Sequence, residues 1–91
     1  MSISEELAPR LAPGVRLKFD PARDSWVVLA PERVILPDDT ALEVLRRCDG
    51  ATSLGAIIDA LAAEYDAPRA TIAADVQTLL GELTQNGILR I

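Results

Sequence analysis

A change in hydrophobic periodicity near residue 37 constrains the fold more than any other feature of the sequence. Before it, short runs alternate between apolar and polar residues, as in β-strands; after it, apolar residues recur every three to four positions, as in amphipathic helices. A chain of 91 residues is large enough for one domain with a single core. We therefore expect one α+β domain over residues 1–91, similar to a winged helix-turn-helix, with a three-stranded antiparallel sheet followed by three helices.

Two of the three predicted strands come from the segment 15–30. Residues 15–20 alternate, which puts Val15, Leu17 and Phe19 on one face that we expect to be buried. The run "WVVLA" at 26–30 is apolar on both faces, as expected for the central strand of a sheet.

The third predicted strand, residues 33–36, lies between Pro31 and Pro37. Proline has no amide proton to donate to a sheet, so the two prolines place this strand at an edge or end it abruptly. An unpaired edge is able to accept another strand. The same property would permit strand exchange between copies, so a homodimer is one expectation.

The first predicted helix has either Asp39 or Thr40 as its N-cap and ends at Gly50. Its apolar stripe consists of Ala41, Val44, Leu45 and Cys48. We also expect residues 1–14, which contain "APRLAPG", to form a flexible N-terminal arm.

Two further helices follow. Ser53 is the predicted N-cap of the second, while the third begins near Pro68 and stops at Asn86-Gly87. Their apolar stripes consist of Leu54, Ile57, Ile58, Leu61 and Tyr65 in the second helix and Ile72, Val76, Leu79, Leu80 and Leu83 in the third.

The composition offers little catalytic chemistry. The chain has no histidine, the commonest general base and metal ligand. Its one cysteine, Cys48, repeats with an apolar helix face and has no histidine to activate it, so we predict a packing role. Asp49 before Gly50 is expected to leave the helix and to fix the next turn through backbone hydrogen bonds. We predict no catalytic residue, no metal site and no cofactor.

The charge is unevenly distributed. Residues 1–36 carry five Lys/Arg and five Asp/Glu, whereas residues 37–91 carry four and nine, which accounts for the net charge of −5. Binding to a phosphate backbone depends on Lys and Arg, so we expect no nucleic-acid partner, although a winged-helix DNA-binding protein stays an alternative, as does a general protein-interaction adaptor.

The N-terminus and the apolar runs bear on location. "MSISEELAPR" lacks the positive and apolar regions of a signal peptide, and no run approaches the roughly 18 apolar residues of a membrane span. We therefore expect a cytoplasmic protein with no membrane partner.

Several motifs occur in an order that resembles one known family over some 80 residues. They are "PRLAPGVRLKFD", "WVVLAPERV", "CDG" at 48–50, "IIDALAAEYDAP", and "DV" at 75–76 leading into "LLGEL". This order is similar to the family of pyrroloquinoline quinone (PQQ) biosynthesis protein D, PqqD, a recognition element for ribosomally made precursor peptides. Pro37 departs from it, because related domains often carry a polar residue there, and we expect it to shorten the third strand.

The resemblance implies a non-catalytic peptide chaperone. Members of the family bind a PqqA-like precursor peptide between the third strand and the third helix, and present it to a PqqE-like radical S-adenosylmethionine enzyme that links a glutamate to a tyrosine. Asp75 would then be a partner for a basic peptide side chain. The peptide-binding residues that the resemblance implies are Arg33, Val34, Ile35 and Leu36 in the strand and Asp75, Val76, Leu79, Leu80 and Leu83 in the helix.

Overall fold

Five short strands and three helices make up the fold, in a computed structural model that describes residues 2–91. In chain order the elements are β1 (Arg10–Leu11), β2 (Arg16–Asp20), β3 (Ser25–Ala30), β4 (Arg33–Ile35), α1 (Asp39–Arg46), α2 (Leu54–Glu64), α3 (Arg69–Gln85) and β5 (Leu89–Arg90). Strands β2 to β4 followed by three helices confirm the predicted α+β class.

The main sheet has the antiparallel order β2-β3-β4, so β3 is central and β4 is an edge strand, as predicted. Val28 pairs with Ile35 and Leu29 with Val34. Strand β4 stops at Ile35, one residue before its predicted end. Pro37 has no amide proton to extend the ladder, which agrees with the expected shortening.

Strand β2 differs from its predicted burial. Leu17 is half-buried, but Phe19 is 40% exposed. Phe19 pairs with Trp26 across the strands, with ring centroids 5.6 Å apart in an edge-to-face arrangement, and the Arg46 guanidinium lies 4.9 Å from the Trp26 ring centroid. The expected burial of Phe19 is therefore wrong, because its ring lies at an outer strand and its neighbour is another partly exposed aromatic side chain.

The core lies between the sheet and the helices. Helix α2 provides four fully buried side chains, while Val28 comes from the sheet and Leu80 from α3. Tyr65 was predicted to continue the α2 stripe, but it is the C-cap residue and its side chain is 45% exposed. The buried residues of this cluster are Val28, Val44, Leu45, Cys48, Leu54, Ile57, Ile58, Leu61, Val76, Leu80, Ile88 and Leu89.

The helix caps correct one prediction and confirm another. Asp38, rather than Asp39 or Thr40, caps α1, because its carboxylate accepts a hydrogen bond from the Ala41 N–H at 2.8 Å. Ser53 caps α2 as predicted.

Helix α1 also ends earlier than expected. Its last residue is Arg46, four residues before the predicted stop at Gly50. Gly50 adopts a positive φ of 78° and belongs to the turn that leads into α2.

The N-terminal segment contains a strand that the sequence did not predict. Within residues 1–14, expected to be a flexible arm, β1 pairs antiparallel with β5. The Gln77 side-chain amide exchanges two hydrogen bonds with the backbone of Ile3, both at 2.7 Å, and the Leu54 N–H donates to the Leu7 carbonyl at 2.7 Å. The described part of this segment therefore lies against α2 and α3.

Across residues 2–91, no helix combines the length and the apolar character needed to cross a bilayer.

Candidate functional site

The region between β4 and α3 is called the groove below, and contacts at its two ends define its position. At one end the Arg33 guanidinium donates a hydrogen bond to the Asn86 carbonyl. At the other end Thr40, Asp75 and Val76 line one cavity. The chain from residue 33 to residue 40 therefore runs beside α3 in the opposite direction.

Strand β4 leaves one of its two long sides without a partner strand, because β3 occupies the other. The Ile35 side chain packs against the core. Val34 and Leu36 are 56% and 58% exposed. Since successive side chains of a strand point to opposite faces, Val34 lies on the outer face of the sheet. Exposed aliphatic side chains thus lie beside an unpaired edge.

Helix α3 forms the opposite side of the groove, and the predicted contact residues of this helix differ in burial. Leu79 and Leu83 are half-buried and pack against the core with part of their surface free. Val76 and Leu80 are 3% and 0% exposed. Leu80 is thus a core residue with no surface to offer a ligand, whereas Leu79 and Leu83 are accessible.

The groove leads into a cavity of about 190 Å³ near the start of α3, called the Asp75 cavity below. Its lining residues are Thr40, Leu61, Tyr65, Ile72, Asp75 and Val76. Of these, only Asp75 and Val76 were expected from the sequence to contact a ligand. The sequence pattern assigned Leu61, Tyr65 and Ile72 to the core. The cavity depends on Tyr65, whose side chain lies outside the core.

The Asp75 carboxylate is exposed and makes no ion pair or hydrogen bond with the other residues of the 2–91 range. Arg69 is the basic residue nearest to it along α3. Its guanidinium instead binds Glu5 and Asp59, each at 2.5 Å. Asp75 therefore keeps its charge available at the mouth of the cavity.

Other carboxylates surround the same cavity. Partial burial raises the pKa of the Tyr65 hydroxyl, and the Glu43 and Glu64 carboxylates raise it further. Arg47 offsets part of this negative charge, because it binds Glu64 at 2.6 Å and approaches Glu43 at 3.7 Å. The surroundings of Tyr65 are thus negative.

Cys48 packs in the core and Asp49 fixes the next turn, as predicted, but α1 already ends at Arg46, so Asp49 is not the residue at which the chain leaves the helix. Cys48 is buried, its thiol donates to the Val44 carbonyl at 3.2 Å, and burial raises the pKa of the thiol to about 12, so it is protonated at neutral pH. The Asp49 carboxylate accepts hydrogen bonds from the backbone N–H groups of Thr52 and Ala51 at 2.7 and 2.9 Å, which lower its pKa. In the part of the chain that is described, no three His, Cys, Asp or Glu side chains are grouped to hold a metal ion.

Known proteins are similar to this sequence along nearly the whole chain. A family model described as "Coenzyme PQQ synthesis protein D (PqqD)" matches residues 25–89, from β3 to β5. A "PqqA binding protein" of Rhodopseudomonas palustris (strain ATCC BAA-98 / CGA009) is 53% identical over 89 residues, which cover 98% of this chain and 87% of the relative. Another, from Xanthomonas oryzae pv. oryzae (strain PXO99A), is 51% identical over 90 residues, with 99% and 98% coverage.

Two solved structures have the same fold. One is the solution structure of the PqqD truncation of Methylobacterium extorquens PqqCD, described as a functional and stand-alone recognition element for ribosomally synthesised and post-translationally modified peptides. It superposes with a TM-score of 0.80 at 41% identity and covers 99% of this chain and 96% of that one. The crystal structure of PqqD from Xanthomonas campestris superposes with a TM-score of 0.61 at 50% identity, with 99% and 100% coverage.

Proposed function

Because the chain belongs to the PqqD family, we propose that it binds the precursor peptide of PQQ biosynthesis and holds it as an added strand on β4, beside α3. The relatives named for PqqA binding and the solved recognition element support the binding role. One observation carries the location. β4 has an open edge, an exposed aliphatic side chain within it (Val34) and another directly after it (Leu36), and it runs along a helix with accessible leucines.

Strand addition uses two kinds of interaction. Main-chain hydrogen bonds to β4 provide affinity, at about 0.5 to 1.5 kcal/mol net for each bond. The peptide side chains alternate in direction, as in any strand. Those that point towards α3 contact Leu79 and Leu83, and those that point outward lie beside Val34.

The chain acts as a carrier of the peptide and supplies no catalytic group of its own. Its one thiol, Cys48, is buried and protonated, and its described carboxylates form no metal-binding group. The peptide is presented in the cytoplasm to a PqqE-like radical S-adenosylmethionine enzyme, which modifies it.

DNA binding has less support. Arg69 is the only basic residue in α3, and its guanidinium is bound by two carboxylates of the same chain, from Glu5 and Asp59. A helix that reads a major groove needs basic groups free to contact phosphates.

A nuclear magnetic resonance titration tests the proposal. Nitrogen-15-labelled protein is titrated with a synthetic PqqA-like peptide and, separately, with duplex DNA. We expect peptide-dependent shifts at the amides of β4 and of α3 around Leu79 and Leu83, with the amides of β2 unmoved. Shifts at β2 alone, or a response to DNA and none to the peptide, would contradict the proposal. Sedimentation of the same samples distinguishes a peptide complex from a homodimer formed through β4.

A further inference from the structure

The Asp75 cavity is large enough for one long side chain. Its volume of about 190 Å³ exceeds the ~150 Å³ of an engineered protein cavity that holds benzene. The buried side chains of Leu61 and Val76 and the half-buried Ile72 supply an apolar lining. Such a lining favours an aliphatic chain over a polar one.

The entrance of the cavity has the opposite character. Asp75 and the Thr40 and Tyr65 side chains lie among the lining residues, and all three are exposed. Asp75 has no ionic partner among residues 2–91. The carboxylates of Glu43 and Glu64 act on Tyr65 from α1 and α2. A long side chain that lies across the cavity would therefore pack its stem on the apolar lining and bring its end to the negative charge at the rim.

We propose that the Asp75 cavity is a specificity pocket for one lysine or arginine side chain of the bound peptide, whose aliphatic stem packs inside while its cationic tip contacts Asp75. The inference rests on the proposed function and adds the chemical class of the residue that is read. The pocket is lined by Thr40, which follows β4 by five residues, and by residues of α3, so the residue that fills it would be adjacent to the segment that pairs with β4.

A host–guest series of peptides tests the pocket. Each position of the PqqA-like peptide is replaced in turn by lysine, by norleucine, which keeps the stem without the charge, and by glutamate. Dissociation constants are measured by calorimetry with the wild-type protein, with Asp75→Asn and with the control Asp24→Asn. Asp24 lies in the β2–β3 turn with a positive φ of 51°, a conformation that asparagine tolerates, so the control removes an equal charge far along the chain from the cavity.

One peptide position should stand apart from the others. There, lysine should bind the wild-type protein about twofold to fivefold more tightly than norleucine, the range for an exposed or half-exposed ion pair, and glutamate should bind most weakly. Asp75→Asn should remove the lysine advantage at that position alone, and Asp24→Asn should keep it. Thr40→Trp, which fills the entrance from an exposed position, should make lysine and norleucine equivalent there.

Two negative results have different meanings. If the wild-type protein binds the peptide but lysine and norleucine are equivalent at every position, or if Asp24→Asn acts as Asp75→Asn does, the pocket assignment is wrong and peptide binding stands. If the wild-type protein does not bind the peptide at all, both proposals are wrong.

Discussion

The two edges of the main sheet are built differently. On β2, the exposed residues include Arg16 and Lys18, whose charges oppose pairing with a further strand. On the β4 side, the exposed Arg33 is bound to the Asn86 carbonyl, and the exposed residues that follow along the segment, Val34 and Leu36, are aliphatic. Charged side chains are a common protection of sheet edges against other chains, so their absence from the β4 segment 34–36 leaves that edge suited to accept a peptide.

The surroundings of the two edges differ as well. Near the end of β2 the exposed Phe19 contacts the half-buried Trp26 of β3, and Arg46 lies above the Trp26 ring. Strand β4 runs beside α3, in which Leu79 and Leu83 are half-buried. A strand added to β4 would thus be bordered by a helix, whereas the aromatic pair at β2 forms no such groove.

The largest expected effect is a loss of stability when Leu80, the buried leucine of α3, is replaced by alanine, and Leu79, an accessible leucine of the same helix, provides the comparison. Leu80→Ala is expected to lower the free energy of unfolding by about 2 to 5 kcal/mol, because it leaves a cavity at a position with no exposure. Leu79→Ala should cost roughly 1 to 2 kcal/mol, since its side chain is half-buried, yet it should weaken peptide binding several-fold. Urea unfolding and calorimetric binding measure both quantities. Equal losses of stability would show that α3 has no accessible side facing β4.

The comparison of the two edges is tested directly by charge. The double variant Val34→Asp/Leu36→Asp should weaken peptide binding by about 30-fold, since burial of the exposed half of each side chain contributes roughly 1 kcal/mol. Phe19→Asp on β2 is the control. It should reduce stability by about 0.5 to 1.5 kcal/mol through loss of the Trp26 contact while affinity is kept. Comparable weakening by the control would mean that the edges do not differ in binding.

A substitution in the core should lower the stability of the whole domain without favouring either edge of the sheet. Cys48→Ser is expected to lower the free energy of unfolding by about 1 to 3 kcal/mol, because it buries a hydroxyl in an apolar cluster. Peptide affinity of the folded protein should be unchanged. Thermal unfolding and binding below the melting temperature provide the check, and a loss of affinity without a loss of stability would assign the thiol a functional role.

The smallest expected effect is a change of stability at low pH. The folded-state pKa of Asp49 is lowered by backbone hydrogen bonds, so its contribution is present above the unfolded value of about 4 and is lost as the pH falls through the folded value. The melting temperature of Asp49→Asn should therefore lie below that of the wild type at pH 7 and approach it at pH 3. Glu6→Gln is a charge-matched control. An unchanged gap at pH 3 would exclude this role of the carboxylate.

The sequence predicted the elements with strong local signals. The alternation before residue 37 and the helical stripes after it located three strands and three helices, and Ser53 was identified as a cap. Predictions failed where several neighbouring residues are equally suited to cap a helix, or where the hydrophobic periodicity continues past the end of the helix. Asp38, Asp39 and Thr40 are all good caps, and only the folded backbone selects Asp38. Tyr65 fits the α2 period but follows the last turn of the helix.

The candidate site was predictable only in part. The prolines around β4 indicated an edge, and the family resemblance indicated α3 as its neighbour. The direction of the groove depends on the contact between Arg33 and Asn86, which are 53 residues apart. No local pattern encodes such a contact. The burial of Leu80 and the partial exposure of Leu79 likewise depend on how α3 is rotated against the core.

The pairing of β1 with β5 has a consequence for folding kinetics. Arg10 lies opposite Arg90 and Leu11 opposite Leu89, so the ladder joins residues about 80 positions apart. Closing so long a loop costs roughly 4 kcal/mol of chain entropy, whereas each net hydrogen bond returns only about 1 kcal/mol. A two-residue ladder cannot form alone against that cost. It follows that β1 docks after the helices and the main sheet have assembled, and that its amides exchange with solvent through local opening before those of β3.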